Sequence, residues 1–215
     1  MPIHRKPINL QNIFGLSHFV VYENIKHYLK EINLGEYLKS MKSLYKEELL
    51  VAKHSKVYIA TDFEGVVIGT IRVTKWDQIT PLPIPKIFNI DPQTYLTNRK
   101  ADEIYHIGRL AIKKTRPSLT LFKELIAKAI YPICQNKYNM AFAELDVKLF
   151  RILSLLGIIP EVIASPAHYL GSWTIPVLLT CKGLLPFQRN YNRQITKAND
   201  HAEDFVKPYK VTLLL

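Results

Sequence analysis

A ten-residue run in the middle of the chain constrains its fold more than any other feature. Residues 105–114 read Tyr-His-Ile-Gly-Arg-Leu-Ala-Ile-Lys-Lys, a β-forming apolar stretch that leads directly into a basic turn. Pro117 suits the first turn of a helix that Thr115 or Ser118 can cap, and apolar residues then recur at helical spacing up to Ile133. Such a strand, turn and helix N-terminus present positive charge and backbone N–H groups. We therefore expect a phosphate-bearing ligand at this turn.

The residues before this run alternate between helical and strand-like patterns. Two amphipathic helices are predicted, one from Ile25 to Ile32 and one from Tyr37 to Leu49. A hairpin runs from Lys56 to Lys75, with its turn at Phe63-Glu64-Gly65. Residues 80–98 contain four prolines and are predicted to form a loop, which can include one helical turn.

Strand and helix patterns also follow the central helix. A strand is predicted over residues 139–145, and then a helix that Asp146 caps and Gly157 ends. Two further strands are predicted over residues 158–164 and 172–182. The order of elements predicts a mixed α/β (α+β) fold.

We expect residues 1–215 to form a single domain, since this length suits one large core. The core is expected at about residues 20–182, and residues 183–215 read as a basic tail without a clear pattern. Pro160 and Pro176 remove backbone donors, so at least one of the last two strands is expected at a sheet edge or bulge.

The net charge of +11 attracts polyanions, which are nucleic acid, an anionic membrane or an acidic protein. No apolar run reaches the roughly 18 to 20 residues that span a bilayer, and the first residues lack a signal-peptide core. A cytoplasmic location is therefore expected. The two cysteines lack the spacing of a zinc site, and no metal is expected.

Three short motifs narrow the prediction: Gly69-Thr70-Ile71-Arg72, Leu82-Pro83 and His106-Ile107-Gly108-Arg109-Leu110. In order and spacing they resemble the acyl-homoserine-lactone synthases and N-acyl amino acid synthases of the GNAT acyltransferase superfamily, over about residues 20–182. The resemblance implies a GNAT-like fold, with a mixed, mostly antiparallel sheet and flanking helices. It also implies transfer of an acyl group, in this branch a fatty acyl, from a thioester to the amine of an amino acid or similar small molecule. The thioester would be a co-substrate on acyl carrier protein or coenzyme A, with no cofactor bound.

The resemblance also implies where the donor thioester binds. It assigns the pantetheine arm to Leu110, Ala111 and Ile112, and the phosphate turn to Lys113, Arg116, Ser118 and Leu119. The usual GNAT turn is rich in glycine, whereas this turn has Pro117 and no glycine. The difference favours an acidic acyl carrier protein over coenzyme A, and a basic chain suits that partner.

Three residues are candidates for proton transfer. His106 stands where the related synthases carry Glu, and an imidazole titrating near neutral pH can accept the proton of an attacking ammonium. The alternative for His106 is a structural hydrogen bond at the end of a strand. Glu103 is a rival base, or else a solvated loop charge. The resemblance implies that Tyr169 protonates the departing thiolate.

Arg72 and Arg109 are candidates for substrate binding, because a guanidinium among apolar residues needs an anionic partner. The alternative is a structural ion pair, of Arg109 with Glu144 and of Arg72 with Asp62 or Glu64.

An acyl-chain pocket requires apolar walls. The candidates are Trp76, Leu82, Ile84, Ile87, Phe88, Ile90 and Trp173. The alternative for these residues is ordinary core or loop packing.

Two other functions are considered. A coenzyme A-dependent N-acetyltransferase would use the same fold. A nucleic-acid-binding module would explain the charge, but the basic residues form no single arm and no known binding motif occurs, so nucleic acid is disfavoured. Peripheral contact with a membrane stays open.

Overall fold

The computed structural model describes residues 10–28, 34–115, 118–169, 171–200 and 209–213. The helices are α1 (Leu10–Tyr28), α2 (Leu34–Val51), α3 (Pro83–Phe88), α4 (Leu119–Ile130), α5 (Val147–Leu155) and α6 (Cys181–Asp200). The strands are β1 (Ser55–Thr61), β2 (Val67–Lys75), β3 (Ile104–Ile112), β4 (Met140–Asp146), β5 (Glu161–Val162), β6 (Ala167–Tyr169), β7 (Ser172–Thr180) and β8 (Lys210–Leu213). Short 3-10 helices cover Ala52–His54, Pro92–Tyr95 and Ile133–Gln135.

The strands form one sheet in the order β5-β7-β4-β3-β2-β1-β8, and β6 also pairs with β7. All neighbouring strands are antiparallel except β3 and β4, which are parallel. The predicted fold class, a mixed and mostly antiparallel sheet with flanking helices, is confirmed.

The two parallel strands separate halfway along their length. They pair through four residues each, from Ile104 with Met140 to Ile107 with Ala143. Beyond Ile107, β3 continues to Ile112 without pairing to β4. A V-shaped opening therefore lies in the centre of the sheet, and no strand among the described residues pairs with the edge of β3 that faces it.

A β-bulge marks the start of this opening. Arg72 pairs with Gly108 and Thr70 with Ala111, so that two residues of β3 lie opposite one residue of β2. One of the two is Arg109, whose φ of +60° is costly for a residue other than glycine. A bulge bends its strand, which accounts for the departure of β3 from β4.

Three apolar clusters hold the helices on the sheet. The largest packs α4 and α6 against the central strands, with Leu121, Leu125 and Leu184 fully buried. A second packs α1 and α2 against β1, and a third packs residues 82–96 against the paired half of β3 and β4. The helices α1 and α2 thus cover the face of the sheet opposite to α4.

Local sequence signals account for several element ends. The predicted hairpin is confirmed, with Gly65 at a φ of +78° in its turn. Ser118 caps α4 by accepting the N–H of Leu121 at 3.1 Å, and Asp146 caps α5 by accepting the N–H of Leu149 at 2.9 Å.

The prolines of the last strands lie near a sheet edge, as expected. Pro160 directly precedes the edge strand β5. The carbonyl of Pro176 accepts the N–H of Ile163 at 3.1 Å, in the gap between β5 and β6. The missing N–H of Pro176 therefore faces a place where its neighbouring edge strand is interrupted.

The first predicted helix differs from the observed one. Helix α1 begins at Leu10, and Ile25 lies in its last full turn, while residues 29–33 lie outside the described residues. The buried positions Ile13, Leu16 and Val20 carry the helical spacing that the prediction missed.

The region after Gly183 also differs from the predicted tail. Residues 181–200 form helix α6, whose Leu184 and Phe187 belong to the main core, and β8 pairs with β1. Pro186 lies inside this helix and obscures its pattern, because proline removes a backbone donor there.

The described residues contain neither a membrane-spanning helix nor a cluster of metal ligands. None of their helices combines the length and the apolarity needed to cross a membrane. No group of three or more His, Cys, Asp or Glu side chains among them is placed to hold a metal ion.

Candidate active site

Three polar side chains lie in a row across the three central strands: Arg72 of β2, His106 of β3 and Glu144 of β4. Thr74 pairs with His106 across β2 and β3, and His106 pairs with Phe142 across β3 and β4. Side chains two residues apart on a strand share a face, so Arg72 and Glu144 lie on the face of His106. The row lies where β3 and β4 begin to separate.

His106 is hydrogen-bonded through both ring nitrogens. Its Nδ1 is 3.0 Å from Nη2 of Arg72, and its Nε2 is 3.0 and 3.1 Å from the two carboxylate oxygens of Glu144. Because a guanidinium only donates, Nδ1 accepts and the ring proton lies on Nε2, which donates to Glu144. The ring is 1% exposed and has no free lone pair. This arrangement does not favour His106 as the base that contacts the amine.

Glu144 is the member of the row that reaches open space. Its side chain is 11% exposed and lines a cavity. Burial raises the pKa of Glu144, but the hydrogen bond from His106 and the positive charges of Arg109 and Arg72 outweigh burial and hold the pKa below its usual range. The carboxylate is therefore ionised at neutral pH and keeps lone pairs for a second donor.

Sequence reasoning missed Glu144 as a proton acceptor and named it only as a partner for Arg109. A signal was present, because Glu144 is the single charged residue in the apolar run 140–145. A lone carboxylate in a buried strand needs a partner or a function.

Arg72 and Arg109 both pair with carboxylates of helix α2. Arg72 forms a buried ion pair with Glu48. Arg109 donates from Nε to Oε1 of Glu48 at 2.6 Å and from Nη2 to Oε2 of Glu47 at 2.7 Å. The positive charges of both arginines are thus compensated within the protein, and the pairs hold the bulge of β3 against α2.

These partners differ from the expected ones, which were Glu144 for Arg109 and Asp62 or Glu64 for Arg72. Asp62 instead accepts backbone N–H groups inside the hairpin turn, one of them from Glu64 at 3.1 Å. The observed partners lie 24 and 61 residues away from the arginines in sequence, beyond any local spacing rule.

An apolar cavity of about 150 Å³ opens at the row. Its apolar walls include Ile71, Ile107, Ile126, Ala129, Ile130, Leu145, Leu149, Leu153, Ile158 and Leu179. The polar residues of its lining are Asn24, Arg109, Glu144, Asp146, Tyr169, Ser172 and Thr174. The shape and lining suit an apolar chain whose reactive head lies beside Glu144.

The expected wall of the acyl pocket lies elsewhere. None of the seven candidate residues lines the cavity. Trp76, Leu82 and Ile84 are buried against the paired half of β3 and β4, and Trp173 is 59% exposed. The proline-containing segment folds into α3 and a 3-10 helix that cover this paired half, whereas residues of α1, α2, α4 and α5 line the cavity at the opening.

Tyr169 is the candidate proton donor that the structure brings to the cavity. It is the last residue of β6, opposite Ser172. Burial, followed by the charge of Glu47, raises the pKa of Tyr169. The phenol therefore stays protonated and able to donate at neutral pH.

The residues assigned to the pantetheine arm follow the open half of β3. Leu110 lines the cavity. Ala111 and Ile112 pair with Thr70 and Gly69 of β2, which leaves their other side toward the opening.

The residues of the predicted phosphate turn lie between β3 and α4. The backbone N–H of Lys113 donates to the carbonyl of Ile68 at 2.8 Å. Ser118 caps α4 and Leu119 is exposed, while Arg116 lies outside the described residues.

Glu103 lies at the other end of β3, outside the cavity lining. Its carboxylate pairs with Lys75 and accepts the phenol O–H of Tyr105, and these hydrogen bonds lower the pKa of Glu103. The position fits a partly solvated structural charge.

Comparison with solved structures identifies the fold. FeeM, an N-acyl amino acid synthase from uncultured soil microbes, superposes with a TM-score of 0.59 at 16% identity, over 83% of this chain and 90% of that chain. BjaI, a CoA-dependent acyl-homoserine lactone synthase solved with SAM and isopentyl-CoA, gives 0.55 at 13% identity, over 86% and 83%. The acyl-homoserine lactone synthase LasI gives 0.50 at 13% identity, over 85% and 90%.

No family model and no curated protein matches the sequence. The three synthases belong to the two groups that the sequence motifs resemble, and the likeness at these identities establishes the fold. The GNAT-like fold that the sequence analysis expects is therefore confirmed.

Proposed function

We propose that this protein is an acyltransferase that moves a fatty acyl group from a carrier thioester to the amine of an amino acid or similar small molecule. One observation carries the proposal: an apolar cavity lies where β3 and β4 separate, and the carboxylate of Glu144 is part of its lining. Its apolar walls suit an apolar chain, and the carboxylate of Glu144 is a proton acceptor in the same lining. The shared fold with FeeM, BjaI and LasI supports the same chemistry.

Glu144 is the proposed general base. An ammonium must lose a proton before its nitrogen can attack, and a carboxylate beside the thioester can accept that proton. His106 is a positioning residue, because its Nε2–H donates to Glu144 and fixes the carboxylate. Arg72 holds the imidazole tautomer from the other side.

The acyl transfer then follows in two steps. The amine nitrogen bonds to the thioester carbon, and the negative charge moves to the former carbonyl oxygen, for which backbone N–H groups on the open edge of β3 are the proposed donors. The C–S bond breaks, the carbonyl re-forms and the thiolate leaves. Tyr169 is the proposed donor of the proton that the sulfur takes up, and the second proton that the nitrogen loses as the amide forms restores the Tyr169 phenol.

The proposed donor is an acyl carrier protein. The turn after β3 contains Lys113 and an exposed Lys114, and the N-terminus of α4 adds a partial positive charge. The net charge of +11 favours an acidic carrier protein, and the lack of glycine in the turn does not favour a pyrophosphate. Coenzyme A thioesters are the alternative, and acetyl-coenzyme A would make the protein an N-acetyltransferase.

The first test measures thiol release with a panel of amines and of donors, namely long-chain acyl carrier protein, long-chain acyl-coenzyme A and acetyl-coenzyme A. We expect amine-dependent thiol release with the long-chain donors and an N-acyl product by mass spectrometry. Turnover with acetyl-coenzyme A that equals or exceeds the long-chain rates would contradict the fatty acyl assignment. Absence of thiol release with every donor and amine would contradict the acyltransferase itself.

Glu144→Gln tests the general base. The amide keeps an oxygen for His106 but cannot take a proton at neutral pH, so kcat should fall by about 100-fold or more with a native circular dichroism spectrum. Glu103→Gln is the matched control, because Glu103 is the rival carboxylate and lies outside the cavity. A loss in Glu103→Gln with full activity in Glu144→Gln would reverse the assignment.

A further inference from the structure

A second cavity, of about 290 Å³, lies beside the catalytic one. It is lined by Val21, Glu36, Lys39, Ser40, Ser43, Leu44, Lys86 and Tyr169. Val21, Leu44 and Tyr169 also line the first cavity, so the two spaces share one wall. The second cavity therefore adjoins the first one, and Tyr169 borders both.

Helix α2 supplies most of this lining from one face. Glu36, Lys39, Ser40 and Ser43 recur at spacings of three and four residues, which places them on one side of a helix. Glu47 continues the same face and holds Arg109. The helix thus anchors the catalytic bulge and walls the second cavity with the same face.

The arginines do not supply an anion site there, because Glu47 and Glu48 compensate the charges of Arg72 and Arg109. The cations that line the second cavity are lysines. Lys86 Nζ lies 3.4 Å from Oε1 of Glu47, longer than a charge-assisted hydrogen bond of about 2.8 Å.

Both lysines are exposed, and the contacts of Lys86 are long. The side chain of Lys86 is 63% exposed, and its other partner, Oγ of Ser43, is also 3.4 Å away. Lys39 is exposed and forms no ion pair with another described side chain. The lining contains one carboxylate, that of Glu36, and Glu47 lies beside Lys86.

We propose that the second cavity binds the acceptor and that Lys39 and Lys86 hold its carboxylate, with the hydroxyls of Ser40 and Ser43 as further donors. This inference rests on the proposed acyl transfer. The acyl chain fills the apolar cavity, so the acceptor enters from the polar side. Its amine then points past Tyr169 toward Glu144, and the lysines select amines that carry a carboxylate.

The test compares leucine, leucinamide and isopentylamine as acceptors in the thiol-release assay with one saturating acyl donor. Lys39→Gln and Lys86→Gln should each raise the KM for leucine about threefold to fivefold with little change in kcat, as expected for partly exposed ion pairs. The KM values for leucinamide and isopentylamine should not change. High salt should raise the wild-type KM for leucine as well.

Lys42→Gln is the matched control. Lys42 is exposed on the same helix but lines neither cavity. The control should leave every KM unchanged.

Two outcomes would overturn the inference: equal KM values for leucine in wild type and both lysine variants, or equal effects on all three acceptors. Because each variant is compared with wild type on one acceptor, differences in amine basicity cancel. Loss of thiol release with all three acceptors in the wild type would instead count against the proposed acyl transfer.

Discussion

Gly108 lies directly beside the imidazole of His106, and its lack of a side chain makes room for the ring. A Cβ at this position would lie 3.1 Å from Cε1 of His106 and 3.7 Å from Nη2 of Arg72. The first distance is shorter than ordinary van der Waals contact, so the ring would have to shift. The glycine of the His-Ile-Gly-Arg motif is thus explained by side-chain packing.

Gly108→Ala should lower kcat about tenfold with a small change in thermal stability, because a displaced ring moves the carboxylate of Glu144 that it holds. Steady-state kinetics and a melting curve check this. In a His106→Gln background the added Gly108→Ala should have no further effect on kcat. Additive losses in the double variant would show that Gly108 acts by another route.

His106→Gln also tests the positioning role through pH. The imidazole helps to hold the pKa of Glu144 low, so its removal should raise that pKa. A base is active only when deprotonated, and activity falls as pH drops through its pKa. The acid limb of the kcat profile should therefore move to higher pH in the variant, and an unmoved limb would contradict the role.

At the level of whole elements, helix α6 is tied to the loop after α5 through Gly183. The carbonyl of Gly183 accepts the N–H of Ile159 at 3.0 Å, and a Cβ on Gly183 would lie 2.5 Å from the carbonyl oxygen of Ile159. Backbone atoms cannot yield at that distance without moving an element. Gly183 therefore sets how α6 packs on the sheet.

Gly183→Ala should lower the free energy of unfolding by about 1 to 3 kcal/mol, as overpacking does in other proteins. Urea denaturation measures the change. Gly15→Ala is the matched control, because Gly15 lies inside helix α1 with nothing within 4 Å of its would-be Cβ. Alanine there should stabilise by about 0.5 to 1 kcal/mol. Equal effects of the two substitutions would contradict the close approach at Gly183.

Over the whole molecule, buried carboxylates hold the helical layer of α1 and α2 on the sheet. Burial raises the pKa of Glu48, but Arg72 and Arg109 outweigh it, and the pKa lies below the usual 4.5. A depressed pKa contributes stability above the unfolded value, and that stability is lost as pH falls through the folded value. The pKa of Glu144 is also lowered, so Glu144 likewise contributes stability that is lost in acid.

The wild-type free energy of unfolding should therefore be nearly constant above the usual glutamate pKa of 4.5 and fall progressively below it. Urea denaturation at a series of pH values measures this. Glu48→Gln should destabilise by about 3 to 5 kcal/mol at neutral pH, because it leaves the buried Arg72 without its ion-pair partner and Arg109 with Glu47 alone. The difference from wild type should shrink in acid.

Glu161→Gln serves as the control for Glu48→Gln. The pair of Glu161 with Arg99 is exposed and should be worth less than about 1 kcal/mol. A wild-type stability that does not fall below pH 4.5 would contradict the stabilising role of the buried carboxylates.

The sequence by itself determined the features that depend on neighbours a few residues apart. The hairpin around Gly65, the caps Ser118 and Asp146, and the strand that ends in a basic turn all follow from local spacing. Motif order indicated the fold, and residue type made His106 a candidate for proton transfer or for a structural hydrogen bond, of which the structure shows hydrogen bonds at both ring nitrogens.

Only the tertiary structure decided what those residues do. It gave Arg72 and Arg109 carboxylate partners from α2, occupied both nitrogens of His106, and left Glu144 as the group that reaches the cavity. The apolar cavity lies at the opening between β3 and β4, whereas its walls were expected mainly in the proline-containing segment. The physical reason is the distance in sequence between the interacting residues. A cap or turn forms between residues a few positions apart, whereas the partner of a buried charge depends on how distant elements pack together.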